Sequence, residues 1–188
     1  MRRHWRISQS GLWNTGRVEN WDAAQAMVGQ VIGRLAGPDE VSVADIRRKL
    51  EAIGFDCPLH YDEGCAREHG YRTVVSPVSM TRAWSLPPYW APGRPRIGSE
   101  AVTTPVAAAA IPGEGDTLIA TRLRTEHFEP LHPGDRVSAE TVLRGVTPKT
   151  TKIGSGAFLT LETTYRNQRG EVVTVETASV FRFQRGDA

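Results

Sequence analysis

Residues 157–166, AFLTLETTYR, carry the alternation that decides the fold. Every second residue from Leu159 to Tyr165 lies on one face of an extended strand, as period-two spacing requires. The same alternation predicts three further strands, over residues 118–125, 136–146 and 172–183. Polar and Gly-containing turns separate these strands at residues 133–135 and 167–170, and the second turn closes a hairpin. The second half of the chain is therefore predicted to form an antiparallel sheet.

The first half of the chain is predicted to be mainly helical. The clearest helix begins at Ser42, because Ser42 and Asp45 three positions later form a capping-box pattern. Apolar residues then follow at one-face spacing up to Ile53, and Gly54 is the predicted C-cap. Further short helices are predicted over residues 62–68 and 78–84, and residues 23–35 are predicted to hold a short helix that passes into a short strand. Helices in one block followed by strands in another predict an α+β fold.

The 188 residues fit a single domain that is preceded by an arm. Residues 1–22 carry three tryptophans among polar residues and glycine, without helical or strand periodicity. Such rings typically anchor an arm against its own core or against a neighbouring subunit. Residues 23–188 form the predicted domain. Within it, residues 85–116 are dense in Pro, Gly and Ala and predict a long connection, either a functional loop or a mobile one.

Composition and charge exclude several classes of function. The formal net charge is +2 with acidic and basic residues interspersed, which argues against nucleic acid as a partner. No stretch has the apolar length of a signal peptide or of a membrane span, so a cytoplasmic location without a membrane partner is predicted. The two cysteines, Cys57 and Cys65, are too few for a disulfide framework and lack the spacing of a zinc site.

The turn at residues 54–62, GFDCPLHYD, carries the strongest chemical signal. It follows directly on the predicted helix and brings the carboxylate of Asp56 and the imidazole of His60 into one short segment. Two such groups can hold a water molecule between them, and a water held in this way can add to an activated double bond or leave as one. His127 and His132 bracket a second turn, but no third ligand is predictable nearby, so no metal site is predicted.

Residues 46–71 resemble the signature of the MaoC-type (R)-enoyl-CoA hydratases and related hydroxyacyl dehydratases. In that family a helix ends in Gly-Asp-x-Asn-Pro-Leu-His and continues as x-Asp-x-x-x-Ala-x-x-x-Gly-Tyr, and most of this pattern is present. Residues 128–135 resemble the strand-opening element of the same domains, and residues 163–171 resemble their terminal hairpin. The resemblance implies a hot-dog fold, in which an antiparallel sheet wraps around a long central helix. It is closest to the N-terminal MaoC dehydratase type of domain.

The resemblance implies that His60 is the catalytic histidine, but the partner base departs from the pattern. Phe55 stands where the family has its catalytic aspartate, and Cys57 stands where it has asparagine. Asp56 lies four positions before His60, whereas the family base lies five before. Either the loop is rearranged so that Asp56 reaches the water, or the chain has lost the base and keeps only the shape of the site.

The chemistry of the family implies the remaining site assignments. The substrate would be an acyl thioester of coenzyme A or of an acyl carrier protein, and no cofactor is implied. A backbone N–H near Val78 or Ser79 would face the thioester oxygen. The other residues expected to bind substrate are Phe55, Cys57, Tyr61, Tyr71 and Trp84, and Arg94 and Arg96 are expected to meet the phosphates of coenzyme A.

Loss of the base would imply a partner chain. MaoC-like enzymes include two-subunit dehydratases in which one domain keeps Asp and His while its neighbour forms much of the acyl pocket. On that basis the chain is predicted to be the substrate-pocket subunit of a heteromeric hydratase or dehydratase. The alternatives are an autonomous homodimeric (R)-hydratase that uses His60 with Asp56, and a non-catalytic acyl-thioester binding protein or a thioesterase.

Overall fold

The computed structural model describes residues 21–88, 90, 92, 93, 108 and 110–185. The predicted arm, except for its last two residues, and both Arg94 and Arg96 lie outside the described residues. None of the helices in these described ranges is long and apolar enough to cross a membrane.

A five-stranded antiparallel sheet is the centre of the described structure. Its strands are β1 (Val31–Ala36), β2 (Thr117–His127), β3 (Val137–Thr151), β4 (Gly154–Asn167) and β5 (Val172–Arg185). The order across the sheet is β1-β3-β4-β5-β2, so β1 and β2 are its edges. The four strands predicted in the second half of the chain are confirmed, and the short strand predicted near residue 35 is β1.

Side-chain alternation divides the sheet into an inner and an outer face. Leu159 and Leu161 are fully buried on the inner face of β4, together with Tyr165, as predicted. The hairpin from β4 to β5 closes at Gly170, which has a φ of +81° and donates its N–H to the Asn167 carbonyl. Glycine adopts this left-handed conformation without strain, so the turn helps to fix the register of the two strands.

The longest described helix, α2 (Val43–Ile53), packs against the inner face of the sheet. The Ser42 side chain caps its first turn, and Gly54, with a φ of +60°, ends it, both as predicted. Ile46 and Leu50 are one turn apart and are both buried. The amphipathic spacing of the sequence therefore decides which face of α2 meets the sheet.

Three shorter helices and two 3-10 turns complete the helical part of the described chain. They are α1 (Asp22–Gln25), α3 (Glu63–Glu68) and α4 (Thr81–Trp84), with 3-10 turns at Pro58–His60 and Val78–Met80. The helix predicted over residues 78–84 is thus a 3-10 turn followed by one α-helical turn. Pro87 and Pro88 cannot donate the backbone bonds that would extend it. Among the described residues, several short helices, the longest of 11 residues, stand in place of one long helix.

Two apolar clusters fill opposite ends of the inner face. The first contains Ile46 of α2 and Trp84 of α4, packed with Tyr165 of β4. The second contains Trp21 and Leu159, together with residues from the end of the long connection. The first cluster supports the region of the predicted site, and the second closes the other end of the sheet.

Arg182 holds the end of the long connection on the sheet. Its guanidinium donates to the carbonyls of Ile111, Gly113 and Gly115 at 2.5 to 2.8 Å and lies 6.0 Å from the centroid of the Trp21 ring. A Cβ at Gly113 would lie 2.3 Å from that ring, so the close approach requires glycine. These contacts return the chain to the start of β2.

Candidate functional site

The backbone holds His60 in one tautomer. His60 ends the 3-10 turn Pro58–His60, and its Nδ1 lies 2.8 Å from the carbonyl oxygen of Val75. A carbonyl can only accept, so Nδ1 carries the proton of the neutral ring and Nε2 keeps a lone pair. His60 is therefore arranged to accept a proton or a hydrogen bond through Nε2.

The buried segment Val74–Ser76 ties this turn to the rest of the fold. The Val75 N–H donates to the Leu59 carbonyl at 3.0 Å, and the Val74 carbonyl accepts from Nδ1 of His132, also at 3.0 Å. One buried segment thus positions two imidazoles. The core, rather than a solvent-exposed loop, sets the position of His60.

A cavity of about 360 Å³ opens beside His60. Its polar lining consists of His60, Tyr71, Ser76, Thr81, His127, Glu129 and Thr174. Its apolar lining includes Leu59, Val75, Val78, Phe128, Leu131 and Val173. A largely apolar wall with a few polar groups is typical of small-molecule sites of this size. Of the residues predicted for catalysis or substrate binding, His60, Tyr71 and Val78 line this cavity.

Asp56 lies outside this lining and is bonded to Tyr61. The Tyr61 phenol donates to Oδ1 of Asp56 at 2.5 Å, and both side chains are exposed. This hydrogen bond and the charge of Asp56 raise the pKa of Tyr61, because they favour the protonated phenol and oppose a second negative charge. The loop therefore directs Asp56 to Tyr61 and not into the cavity.

Replacing Asp56 with asparagine is expected to lower the pKa of Tyr61 toward its ordinary value of 10.0. The amide keeps a hydrogen-bond acceptor but removes the negative charge, so the phenol ionises more easily. Spectrophotometric titration of tyrosinate absorbance would show the change as a difference between the two proteins, and Tyr61→Phe identifies the titrating group. Identical curves for wild type and Asp56→Asn would mean that the bond does not form in solution.

Phe55 packs beside the His60 ring. The two ring centroids lie 5.8 Å apart with the planes tilted by 41°, and 49% of Phe55 is exposed. The ring carries no hydrogen-bond acceptor of the kind that a water proton needs. The position where the family pattern has a carboxylate therefore presents an apolar surface to the imidazole.

The other predicted binding residues lie around the cavity rather than in its lining. Cys57 is partly exposed and precedes the 3-10 turn, and Ser79 is exposed. Trp84 is only 8% exposed, and its indole N–H donates to the Ser76 hydroxyl at 2.9 Å. Because Ser76 lines the cavity, Trp84 supports the cavity wall from behind.

His127 and Glu129 line the cavity although the sequence did not mark them as binding residues. His127 ends β2, and its Nδ1 lies 3.1 Å from the hydroxyl of Thr174, its register partner on β5. Only the pairing of β2 with β5, which are far apart in the chain, brings these two together. Within the described residues, no group of three or more His, Cys, Asp or Glu is arranged to hold a metal ion.

The family model described as FAS1-like, dehydratase domain region, matches residues 26–176, which include the turn, the cavity lining, β1 to β4 and the first five residues of β5. The chain belongs to this dehydratase family. The predicted family is thereby confirmed, and the match includes α2 to α4 and four complete strands of the sheet.

A curated relative is named as a subunit of a hydratase. The probable enoyl-CoA hydratase alpha subunit of Thermomonospora curvata is 38% identical over 165 residues, which cover 85% of this chain and 50% of that protein. This dehydratase-family chain spans about half the length of the curated relatives it matches.

Solved structures share the fold. A chain of the ChsH1-ChsH2 complex from Mycobacterium tuberculosis superposes with a TM-score of 0.68 at 23% identity, over 89% of this chain and 92% of that one. The MaoC-like dehydratase from Rhodospirillum rubrum superposes with a TM-score of 0.58 at 25% identity, over 82% and 93% of the two chains. These superpositions confirm the predicted hot-dog fold.

Proposed function

We propose that the chain is the acyl-pocket subunit of a heteromeric hydratase or dehydratase that acts on enoyl or 3-hydroxyacyl thioesters. Two side chains near His60 carry the proposal: Phe55 lies against the imidazole, and Asp56 is bonded to Tyr61 outside the cavity. Hydration of an enoyl thioester needs a base within hydrogen-bond reach of the attacking water. Because neither side chain supplies that base, we expect it to come from a partner.

Among the described residues that line the cavity, Glu129 is the one with a carboxylate, and its side chain is exposed. Its backbone N–H donates to the Val172 carbonyl at 3.2 Å, which positions the main chain. Its side chain forms no hydrogen bond or ion pair in the part of the chain that the structure describes. A general base needs a fixed position relative to the water, so an exposed and untethered carboxylate is better suited to contact a polar part of the ligand.

The cavity supports a role in holding an acyl group. Its apolar wall suits a hydrocarbon chain, and the lone pair on Nε2 of His60 offers an acceptor at the same place. We propose that Tyr71 and Val78 belong to the acyl wall, with a backbone N–H near Val78 or Ser79 directed at the thioester oxygen. The remaining site predictions from the sequence are Phe55, Cys57, Tyr61 and Trp84 as substrate contacts and Arg94 and Arg96 as coenzyme A contacts.

The proposed partner is a MaoC-like chain that carries both the aspartate and the histidine. The name of the Thermomonospora relative, an alpha subunit, supports a multi-subunit enzyme, and so does the two-component ChsH1-ChsH2 structure. The carrier of the thioester, coenzyme A or an acyl carrier protein, and the cytoplasmic location stay predictions from the sequence.

The test measures crotonyl-CoA hydration by the purified chain alone and by the chain with its co-purified partner. We expect turnover only in the complex. If the chain alone hydrates crotonyl-CoA, and both His60→Ala and Asp56→Asn abolish this turnover, the proposal is contradicted and the homodimeric hydratase is supported. If only Glu129→Gln abolishes the turnover, Glu129 is the base. Release of free coenzyme A, followed with a thiol reagent, would identify a thioesterase.

A further inference from the structure

A row of polar residues crosses the inner face of the sheet between the two apolar clusters. The residues, in order across the sheet, are Thr141 on β3, Thr163 on β4, Glu176 on β5 and Thr125 on β2. Residues opposite one another in register point to the same face, so their side chains are neighbours. The hydroxyls of Thr141 and Thr163 lie 2.9 Å apart and satisfy each other. Glu176 is the charged member of the row.

Glu176 is a buried carboxylate without a protein partner. Only 8% of the residue is exposed. In the part of the chain that the structure describes, no donor makes a hydrogen bond or an ion pair with its side chain. Burial of a carboxylate is unfavourable unless the group is hydrogen-bonded or paired. Among the described residues, no side-chain nitrogen or oxygen is both shielded from solvent and unpaired, so the Glu176 oxygens border solvent-accessible space in which a ligand donor can replace water.

Tyr165 places a phenol beside this carboxylate. It is 3% exposed, and its hydroxyl has no hydrogen-bond partner among the described residues. Burial and the negative charge of Glu176 raise the pKa of Tyr165 to about 12, against the opposing effect of Arg82. Tyr165 and Glu176 are diagonal neighbours on the same face of the sheet, because Tyr165 is opposite Thr174 and Glu176 lies two residues further along β5.

The pair lies next to the cavity that contains His60. Thr174, which lines the cavity, is opposite Tyr165 in register and lies two residues before Glu176 on the same face of β5. The rise of a strand places Glu176 about 7 Å beyond Thr174, toward the middle of the inner face. Neither Glu176 nor Tyr165 is in the cavity lining, so an acyl chain that enters beside His60 has to pass Thr174 to reach them.

We propose that Glu176 and Tyr165 form the inner end of the acyl site and bind a hydroxyl group carried by the acyl chain. This inference rests on the proposed function, because it requires that an acyl thioester enters the cavity. The ligand hydroxyl donates to the Glu176 carboxylate and accepts from the Tyr165 phenol, which satisfies both buried groups. An unsubstituted hydrocarbon end leaves both unpaired, so the site selects for the hydroxyl.

The test compares matched saturated thioesters by isothermal titration calorimetry with the full chain. The ligands are octanoyl-CoA and decanoyl-CoA and their ω-hydroxy counterparts, which cannot be hydrated, so binding is measured without turnover. We expect the better-fitting ω-hydroxy ligand to bind roughly 10- to 100-fold more tightly than its unsubstituted match, as for a hydrogen bond to a buried charged group. We expect Glu176→Leu to abolish this preference and Tyr165→Phe to reduce it.

A matched control and a second readout separate ligand recognition from structural damage. Glu162→Gln changes a carboxylate on the outer face of β4, where Glu162 pairs with Arg144 at 2.6 Å, and should keep the preference. Glu176→Leu should also raise the melting temperature of the ligand-free chain, because an apolar group replaces an unpaired buried carboxylate. If that variant does not fold, Glu176→Gln keeps the size of the side chain, removes the charge and should weaken the preference.

The outcomes distinguish this inference from the proposed function. Equal binding of the two members of each pair would overturn the hydroxyl site and leave the proposed function in place. Failure to bind any of the four thioesters would overturn both. A hydroxyl preference that persists in a folded Glu176→Leu chain would overturn the assignment of Glu176, since another part of the protein would then recognise the hydroxyl.

Discussion

Replacing Phe55 with aspartate is expected to give the isolated chain a hydratase activity that, under the proposed function, the wild type lacks. This position lies five residues before His60, where the MaoC-type pattern has its base, and the two ring centroids are 5.8 Å apart. A carboxylate there would lie beside the imidazole and share a water with it. General acid–base groups typically contribute about 10²- to 10⁴-fold, so we expect a gain of at least about 10²-fold in crotonyl-CoA hydration.

The substitution should leave the fold intact. Phe55 is 49% exposed and belongs to neither apolar cluster, so little buried apolar surface is lost. Its N–H donates to the Leu50 carbonyl at 3.1 Å, a backbone bond that aspartate keeps. Thermal unfolding of the variant checks this expectation alongside the rate measurement.

Two control variants show whether the gain comes from the new acid–base pair. Phe55→Leu removes the ring without adding a carboxylate and should stay inactive. Phe55→Asp combined with His60→Ala should lose the gain, because the second member of the pair is missing. A folded but inactive Phe55→Asp chain would contradict the view that this cavity keeps the shape of a hydratase site, and the partner would then have to supply more than the base.

The sheet and the main helix were predictable because short-range spacing determines them. The alternation over residues 157–166 decides which side chains are buried, and the capping residues Ser42 and Gly54 mark the ends of α2. His60 was predicted as a site residue because its turn matches a family pattern, and His60 lines the cavity of the candidate site. These features require no knowledge of which strands are neighbours.

The site details that spacing did not predict depend on contacts between segments. The bond from Tyr61 to Asp56 depends on the path of the loop, so the sequence left two positions open for that carboxylate. In β5 the inner positions Thr174 and Glu176 are polar, so apolar alternation does not indicate that they are buried. Thr174 and Glu176 lie near His127 only because β2 pairs with β5.

Replacing Asp135 with asparagine is expected to destabilise the fold by about 2 to 4 kcal/mol at neutral pH. Asp135 is 1% exposed. Its carboxylate accepts from the His132 N–H at 2.8 Å, from Gln168 at 3.0 Å, and from Arg72 and Arg169 at 3.1 Å each. These bonds join the turn before β3 to the hairpin between β4 and β5, so an amide, with one acceptor oxygen and no charge, weakens several contacts together.

The effect of Asp135 should depend on pH. Burial alone would raise the pKa of Asp135, but hydrogen bonds from the His132 N–H, Gln168 and Arg169 outweigh it and hold this pKa below 3.8. A carboxyl group whose pKa is lower in the folded state stabilises the fold above its unfolded pKa. That contribution is lost as the pH falls through the folded pKa. The free energy of unfolding of the wild type should therefore fall below about pH 3.8 as Asp135 is protonated. Asp135→Asn should not show this decrease, because asparagine does not titrate.

Urea unfolding at neutral pH and at a series of acidic pH values measures both effects on the free energy of unfolding. Glu140→Gln is the control, because Glu140 pairs with Arg34 at the surface with 47% of its side chain exposed, and its loss should change stability by less than about 1 kcal/mol. Asparagine does not titrate, so the stability gap between wild type and Asp135→Asn must narrow as Asp135 becomes protonated. If the stability difference between wild type and Asp135→Asn stays constant through the acid range, the Asp135 carboxyl is already neutral in the folded protein. The explanation of this turn by the charge of Asp135 would then be wrong.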